Sequence, residues 1–167
     1  MIISIIPADK IINHLQRVTE LAERVRDLLD PYGLPSDVIA DCIDGALTLW
    51  GVFDEEKFGT EEEALLGILV SGVRHYWRCS TLELIVLSGD RMREWLGELN
   101  VITDKYAADL GCLTRVLPGA RLGWKRELAK FGFVESKLIT LECFVGEEGR
   151  RPAATPGRFV PLAAVQV

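Results

Sequence analysis

One alternation of strand and helix, between Thr81 and Val145, constrains this chain more than any other feature. Leu82–Leu87 is a nearly continuous apolar run, which suits a strand buried on both faces. Because a strand–helix–strand connection is almost always right-handed, the next strand is predicted to lie parallel to this one. The predicted elements are a strand at Leu82–Leu87, a turn at Ser88–Asp90, a helix from Arg91 to about Leu110, a strand at Leu113–Leu117, a helix at Arg121–Phe131 closed by Gly132-Phe133, and a last strand at Val134–Val145.

Two helices are predicted upstream of this segment. Apolar residues spaced alternately by three and four positions, from Ile11 to Leu29, define one face of a helix that Asp9 opens. A shorter helix is predicted to begin at Ser36, as its N-cap, and to end just before Gly45. Both helices therefore precede the sheet.

A hairpin is predicted between these helices and the central alternation. Its first strand is Ala46–Phe53, which is rich in strand formers. Its second strand is Leu65–Val73, although Glu61–Glu63 would also suit a helix start with capping-box character. Gly67 and Gly72 disfavour a helix, so the strand is preferred.

Composition indicates one α/β domain of the mixed α+β kind at 1–146, followed by a Pro/Gly-rich tail at 147–167. The chain has 167 residues, 49% of them apolar, which is enough for a single buried core. Its net charge of -6 argues against nucleic acid and anionic lipid as partners. Met1–Ile6 is too short for a signal sequence or a membrane anchor. Four dispersed cysteines and two histidines indicate reduced thiols and no metal site.

The order of these elements resembles the GNAT acyltransferase fold, in which a mixed central sheet carries two N-terminal helices, a hairpin and then strand, helix, strand, helix and strand. A weak first strand is expected at Ile2–Ile6. More narrowly, the chain resembles GNAT-like proteins encoded among the virion genes of tailed bacteriophages, including acetyltransferase-like internal virion proteins. The segments that carry the resemblance are LTLWGVFD at Leu47–Asp54, LIVLSGDRMREWLGEL at Leu84–Leu99, ADLGC at Ala108–Cys112 and RLGWKRELAKFGF at Arg121–Phe133.

This resemblance implies an acetyl-CoA site beside the central strand. In the family, backbone amides at the start of the long helix bind the cofactor's pyrophosphate, since a helix N-terminus presents N–H groups and partial positive charge to an anion. The loop departs from the family's glycine-spaced pattern, because Gly89 is its only glycine and Asp90, interpreted as the helix N-cap, adds a carboxylate. The corresponding cofactor-binding positions are Leu84, Ile85, Val86, Leu87, Ser88, Gly89, Arg91 and Arg93.

The same resemblance makes Glu83 the candidate general base, because family bases often lie on the central strand. The alternative is that Glu83 faces outward as an ordinary strand residue. His75, Tyr76 and Glu142 are further candidates. Leu128 occupies the position at which acetylating members often carry a tyrosine as general acid, and a leucine cannot donate a proton to the departing thiolate.

Two functions follow from the resemblance. The first is an N-acetyltransferase that uses acetyl-CoA on an amine. The second is a non-catalytic virion or assembly protein that keeps the scaffold as a binding module, with the tail from Glu147 engaging other virion proteins. The apolar run Phe159–Val167 is expected to dock on the domain or on another chain, as in a homo-oligomer. The resemblance also implies the host cytoplasm as location, with incorporation into the virion under the second function.

Overall fold

The computed structural model describes residues 1–29, 33–58, 64–77, 79–118 and 122–135. Within that part of the chain, no helix is both long enough and apolar enough to cross a membrane. The elements in chain order are β1 (Ile2–Ile5), a 3-10 helix (Ala8–His14), α1 (Leu15–Glu23), α2 (Arg26–Leu29), α3 (Pro35–Ile43), β2 (Thr48–Phe53), β3 (Leu65–His75), β4 (Ser80–Gly89), α4 (Met92–Asp109), β5 (Cys112–Val116) and α5 (Leu122–Ala129).

The five described strands form one mixed sheet in the order β1-β2-β3-β4-β5. Neighbouring strands from β1 to β4 are antiparallel, whereas β4 and β5 pair in parallel, with α4 as the connection between them. The parallel pair and the strand at Leu65–His75 confirm the topology predicted from the sequence. The mixed sheet with its N-terminal helices and hairpin is the predicted fold class.

Two apolar clusters cover the sheet, one on each face. Along β2 and β3 alternate residues belong to different clusters, as expected when successive side chains of a strand point to opposite faces. One cluster contains Val18 and Val38 of the N-terminal helices. The other contains Trp95 of α4, which is fully buried and whose indole N–H donates to the Asp90 carbonyl at 2.8 Å. The core therefore holds α4 firmly against the end of β4.

The N-terminal helices differ in detail from the prediction. The first predicted helix is divided into the 3-10 helix, α1 and α2. The N-cap of α3 is Leu34 rather than Ser36, because Pro35 occupies the first helical position, where its preset φ and missing N–H are tolerated. The Asp37 carboxylate accepts a hydrogen bond from the Leu34 N–H at 2.8 Å. Gly45, with φ 78°, lies just past the end of α3, as predicted.

The turn predicted at Ser88–Asp90 is wrong at its first two positions, because Ser88 and Gly89 belong to β4. Gly89 lies opposite Gly67 of β3. Since neither glycine has a side chain, the two backbones can approach closely and the ladder continues to the end of the strand. The actual connection to α4 is shorter, and it forces Arg91 into a left-handed conformation with φ 51°.

Gly97 provides a first testable prediction, on stability. It lies inside α4, and a Cβ added there would be 3.7 Å from the nearest atom of the Phe131 ring, an ordinary van der Waals distance. Because alanine restricts the unfolded chain and favours the helix, Gly97→Ala is expected to increase the free energy of unfolding by about 0.5–1 kcal/mol. Urea denaturation measures this, and a lower midpoint would contradict it.

Several predictions lie outside the described residues. These are the acidic stretch Glu61–Glu63, the helix start at Arg121, the last strand beyond Glu135, the candidate Glu142, and the tail at 147–167 with its closing run Phe159–Val167.

Candidate functional site

A cleft opens between β4 and β5 where their hydrogen-bonded pairing ends. The pairs run from Ser80 with Cys112 to Glu83 with Val116, but β4 continues for six more residues to Gly89. Alternate backbone N–H groups of that extension point away from β3 and towards the cleft, as in any strand with one neighbour. An open cleft with strand amides at its side is the geometry that the resemblance to the GNAT fold implies for a cofactor site.

A bulge at Ile85 marks the point where the strands diverge. Val86 lies opposite Val70 and Leu84 lies opposite Ser71, so Ile85 is the extra residue of β4. A bulge leaves the extra residue outside the ladder and bends the strand. Ile85 is therefore placed at the inner end of the cleft.

The cleft contains a cavity of about 210 Å³. Its floor comes from β4, and its walls come from α2 and the link that precedes it, the start of α4, the residues that follow β5, and α5. Four of the eight predicted cofactor positions line this cavity: Ile85, Leu87, Ser88 and Gly89. The other four do not; Leu84 and Val86 are buried in the core, and Arg91 and Arg93 lie at the start of α4. The lining residues are Arg24, Val25, Leu28, Ile85, Leu87, Ser88, Gly89, Met92, Leu117, Pro118 and Trp124.

Carboxylates lie at the start of α4, where the resemblance implies a site for an anionic pyrophosphate. Arg91, the N-cap, donates to both carboxylate oxygens of Glu94, at 3.0 and 2.5 Å, and lies 3.7 Å from Asp54. This pairing raises the pKa of Arg91 and lowers the pKa of Glu94. Arg93 is exposed on the first turn. Arg91 is thus already neutralised at the helix end where a pyrophosphate is expected.

Asp90 does not cap α4, contrary to the prediction, because its carboxylate is held by two arginines of the N-terminal helices. Arg17 donates to one oxygen at 2.5 Å and Arg24 to the other at 2.7 Å, and Glu20 bridges the same two arginines. The Asp90 N–H donates to the Leu66 carbonyl. This arginine–carboxylate network joins α1 to the junction of β4 and α4, and it places an anion beside the mouth of the cleft.

A pH dependence of stability follows from this network. Hydrogen bonds from Arg24, and then from Arg17, lower the pKa of Asp90 from its ordinary value of 3.8. The folded pKa lies below the unfolded one, so the stabilisation is present above about pH 4 and is lost as pH falls through the lowered value. Asp90 is about half exposed, which limits the effect to less than about 1 kcal/mol.

Asp90→Asn is therefore expected to lower the melting temperature slightly at pH 6, and this difference from the unchanged protein is expected to shrink as the pH falls below about 4. Thermal unfolding followed by circular dichroism between these pH values measures the difference. A gap that stays constant across the range would contradict the assignment of this carboxylate as the titrating group.

Glu83 is buried and paired rather than facing outward. Its side chain is 6% exposed, and Arg74 Nε donates to Oε1 at 2.8 Å. Burial, followed by the nearby Glu83 carboxylate, raises the pKa of Tyr76. His75 is exposed and its Nδ1 lies 2.8 Å from the Ser80 hydroxyl. Of the catalytic candidates, Glu83 and His75 line the same cavity, and Tyr76, which follows β3 and is half exposed, lies close enough for the charge of Glu83 to act on it.

Leu128 lies in an apolar cluster beside β4. It is 7% exposed and lines a small void of about 20 Å³ together with Leu84, Leu87 and Phe131. A hydrocarbon in this position offers no proton to a thiolate. In an acetyl transfer, solvent would have to supply the proton to the departing thiolate.

Sequence reasoning missed Arg17 and Arg24. Arg17, Glu20 and Arg24 are spaced at i, i+3 and i+7, which places them on one helix face. That spacing was the available signal, but it could not reveal the partner, since Asp90 is 73 and 66 positions away in the sequence. Within the described residues, no group of His, Cys, Asp and Glu is placed to hold a metal ion.

No protein-family model matches the sequence, and the search of curated proteins found no match. Solved structures do match. A GCN5-related N-acetyltransferase from Ralstonia eutropha has a TM-score of 0.61 at 15% identity, covering 84% of this chain and 97% of that one. Aminoglycoside N-acetyltransferase AAC(6')-Iy in complex with CoA has a TM-score of 0.60 at 13% identity, covering 87% and 100%. Glucosamine-6-phosphate N-acetyltransferase from Arabidopsis thaliana has a TM-score of 0.55 at 12% identity, covering 86% and 98%. At these identities the likeness shows the fold, and the protein has the GNAT fold.

Proposed function

We propose that this protein is an N-acetyltransferase that takes an acetyl group from acetyl-CoA and transfers it to an amine. The observation that carries the proposal is the cleft between β4 and β5, which opens beyond Glu83 and Val116 and is lined by apolar side chains and strand backbone. Such a lining suits a pantetheine arm, whose amides pair with strand backbone while its methylenes contact apolar side chains. One solved structure of the same fold contains CoA.

The chain's residues would act as follows. Ile85, Leu87 and Met92 line the cleft and would hold the cofactor's arm, and the bound cofactor would supply the acetyl thioester. Strand N–H groups on the open side of β4 are donors suited to a thioester carbonyl. Glu83 would accept a proton from the attacking amine. The acetylation of R–NH3+ by the thioester yields an amide, a thiol and one released proton.

The cleft fits the cofactor's arm better than its diphosphate. Asp90 and Glu94 place carboxylates near the start of α4, and each is paired with arginine. A diphosphate would compete with these carboxylates for Arg17, Arg24 and Arg91. We therefore expect weak CoA binding that weakens further with added salt, since exposed charge pairs are screened.

Calorimetric titration with acetyl-CoA, with Met92→Trp and Met92→Leu as a pair, tests the proposal. Met92 lines the cleft at the start of α4 and is half-buried. Tryptophan would fill the space and is expected to reduce affinity at least tenfold, whereas leucine conserves the volume and is expected to leave affinity within about twofold. Absence of binding to the unchanged protein would rule out the enzyme.

The second candidate is a non-catalytic binding module, such as a virion or assembly protein of the kind the sequence resembles. Leu128 at the general-acid position and the paired carboxylates at the start of α4 favour it. Under this proposal the tail at 147–167 engages other proteins. Pull-down with and without that tail tests it, in a protein that fails to bind acetyl-CoA.

A further inference from the structure

A second cavity lies on the other side of the bulge from the cleft. It has a volume of about 340 Å³, which is within the range of small-molecule sites, and α3, β3 and β4 form its walls. Ile85 lines both this cavity and the cleft, whereas Glu83 lines this cavity and not the cleft. The cavity and the cleft are therefore neighbours along β4, with the side chain of Ile85 between them.

The sheet is polar where this cavity lies, although the same face is apolar further along. Gly72 lies opposite Glu83 and Arg74 lies opposite Thr81, so these four residues share a face. Thr81 and Glu83 are both buried; Thr81 lines a neighbouring cavity, and its hydroxyl lies 2.8 Å from that of Thr114. Buried polar side chains add less to stability than apolar ones would. The presence of Arg74 and Glu83 on this face is therefore not explained by stability alone.

The charges around the cavity favour a cation. Of the described lining residues, Asp41 of α3 and Glu83 carry carboxylates and Arg74 carries a guanidinium, while His75 adds an imidazole whose Nδ1 lies 2.8 Å from the Ser80 hydroxyl. Because Arg74 is already paired with Glu83, the charge of Asp41 is left to attract a ligand. Val38 and Leu47 add apolar surface to the same cavity.

We propose, on the basis of the proposed function, that this cavity binds the acceptor and that the acceptor is a small alkyl diamine. The reacting nitrogen lies at Glu83, the second ammonium group lies at Asp41, and the methylenes between them contact Val38 and Leu47. The C–N bond forms as the C–S bond of the thioester breaks. One proton passes from the reacting ammonium to Glu83 and frees the attacking lone pair, a second leaves the nitrogen for solvent as the amide forms, and the thiolate takes a proton from solvent.

Calorimetry with cadaverine and with pentylamine, which lacks the second amine, tests this assignment. The unchanged protein is expected to bind cadaverine about tenfold more tightly than pentylamine, because a hydrogen bond to a charged partner is worth about that factor. Asp41→Asn is expected to remove the difference while leaving pentylamine binding within about twofold. Asp44→Asn is the matched control, since Asp44 caps the end of α3 and does not line the cavity.

Equal affinity for the two amines, or a preference that survives Asp41→Asn, would overturn the assignment. A parallel titration with CoA separates the two proposals. CoA binding without a preference for the diamine would overturn the acceptor class and leave the acetyltransferase intact. Diamine binding without CoA binding would contradict the acetyltransferase, and with it the assignment of the cavity to an acceptor.

Discussion

Replacing Gly89 with valine is expected to destabilise the protein by about 3 kcal/mol, since forcing atoms into a packed site is costly. A Cβ at this position would lie 2.6 Å from the Gly67 Cα, 2.8 Å from the Leu66 carbonyl oxygen and 2.8 Å from the Trp95 ring. Two of these three neighbours are backbone atoms, which cannot rotate away. Urea denaturation should show a much lower midpoint with a similar slope.

Gly97→Ala is the matched control for this measurement, because it adds a Cβ to a glycine that has space for one. If Gly89→Val unfolds at the same denaturant concentration as the unchanged protein, the close packing of β3, β4 and Trp95 is wrong. The result also bears on cofactor studies. Loss of acetyl-CoA binding in a Gly89 variant would report a disturbed β4 rather than a blocked site.

The elements around the cleft could be predicted because their signals are local. The apolar run Leu82–Leu87 and the helical periodicity after Asp90 each lie within about twenty residues, and each gave the correct element type. Gly67 and Gly72 correctly favoured a strand in β3. The parallel pairing of β4 and β5 followed from the handedness of the connection.

The end of β4 could not be predicted, because its cause is tertiary. Ser88-Gly89-Asp90 has the composition of a turn, but Gly89 finds Gly67 opposite and the ladder continues. Asp90 has the composition of an N-cap, but Arg17 and Arg24 hold its carboxylate. In both cases a partner distant in sequence determines what a residue with a good local explanation does.

The position of Glu83 was predicted and its environment was not. Alternation along a strand tells which residues share a face, but it does not tell which face is covered by helices. The structure places Glu83 beside Arg74 on the covered side, at the edge of a cavity that the sequence did not indicate. An experiment on Glu83 therefore has to distinguish a proton-accepting role from a structural role as the partner of Arg74.

Under the proposed acetyltransferase function, Glu83→Gln is expected to lower kcat for acetyl transfer by about 100-fold or more, which is typical for removal of a general base. Glutamine retains the shape of glutamate, and its side-chain oxygen can still accept the hydrogen bond from Arg74 Nε, so stability and acetyl-CoA affinity should change little. Arg74→Gln provides the comparison, since it removes the cation but keeps the carboxylate. If Glu83 only holds Arg74 in place, the two variants should lower kcat equally and shift the midpoint of urea denaturation equally. If Glu83 accepts the proton, Glu83→Gln should have a much lower kcat than Arg74→Gln, while the two variants need not differ in the midpoint of urea denaturation.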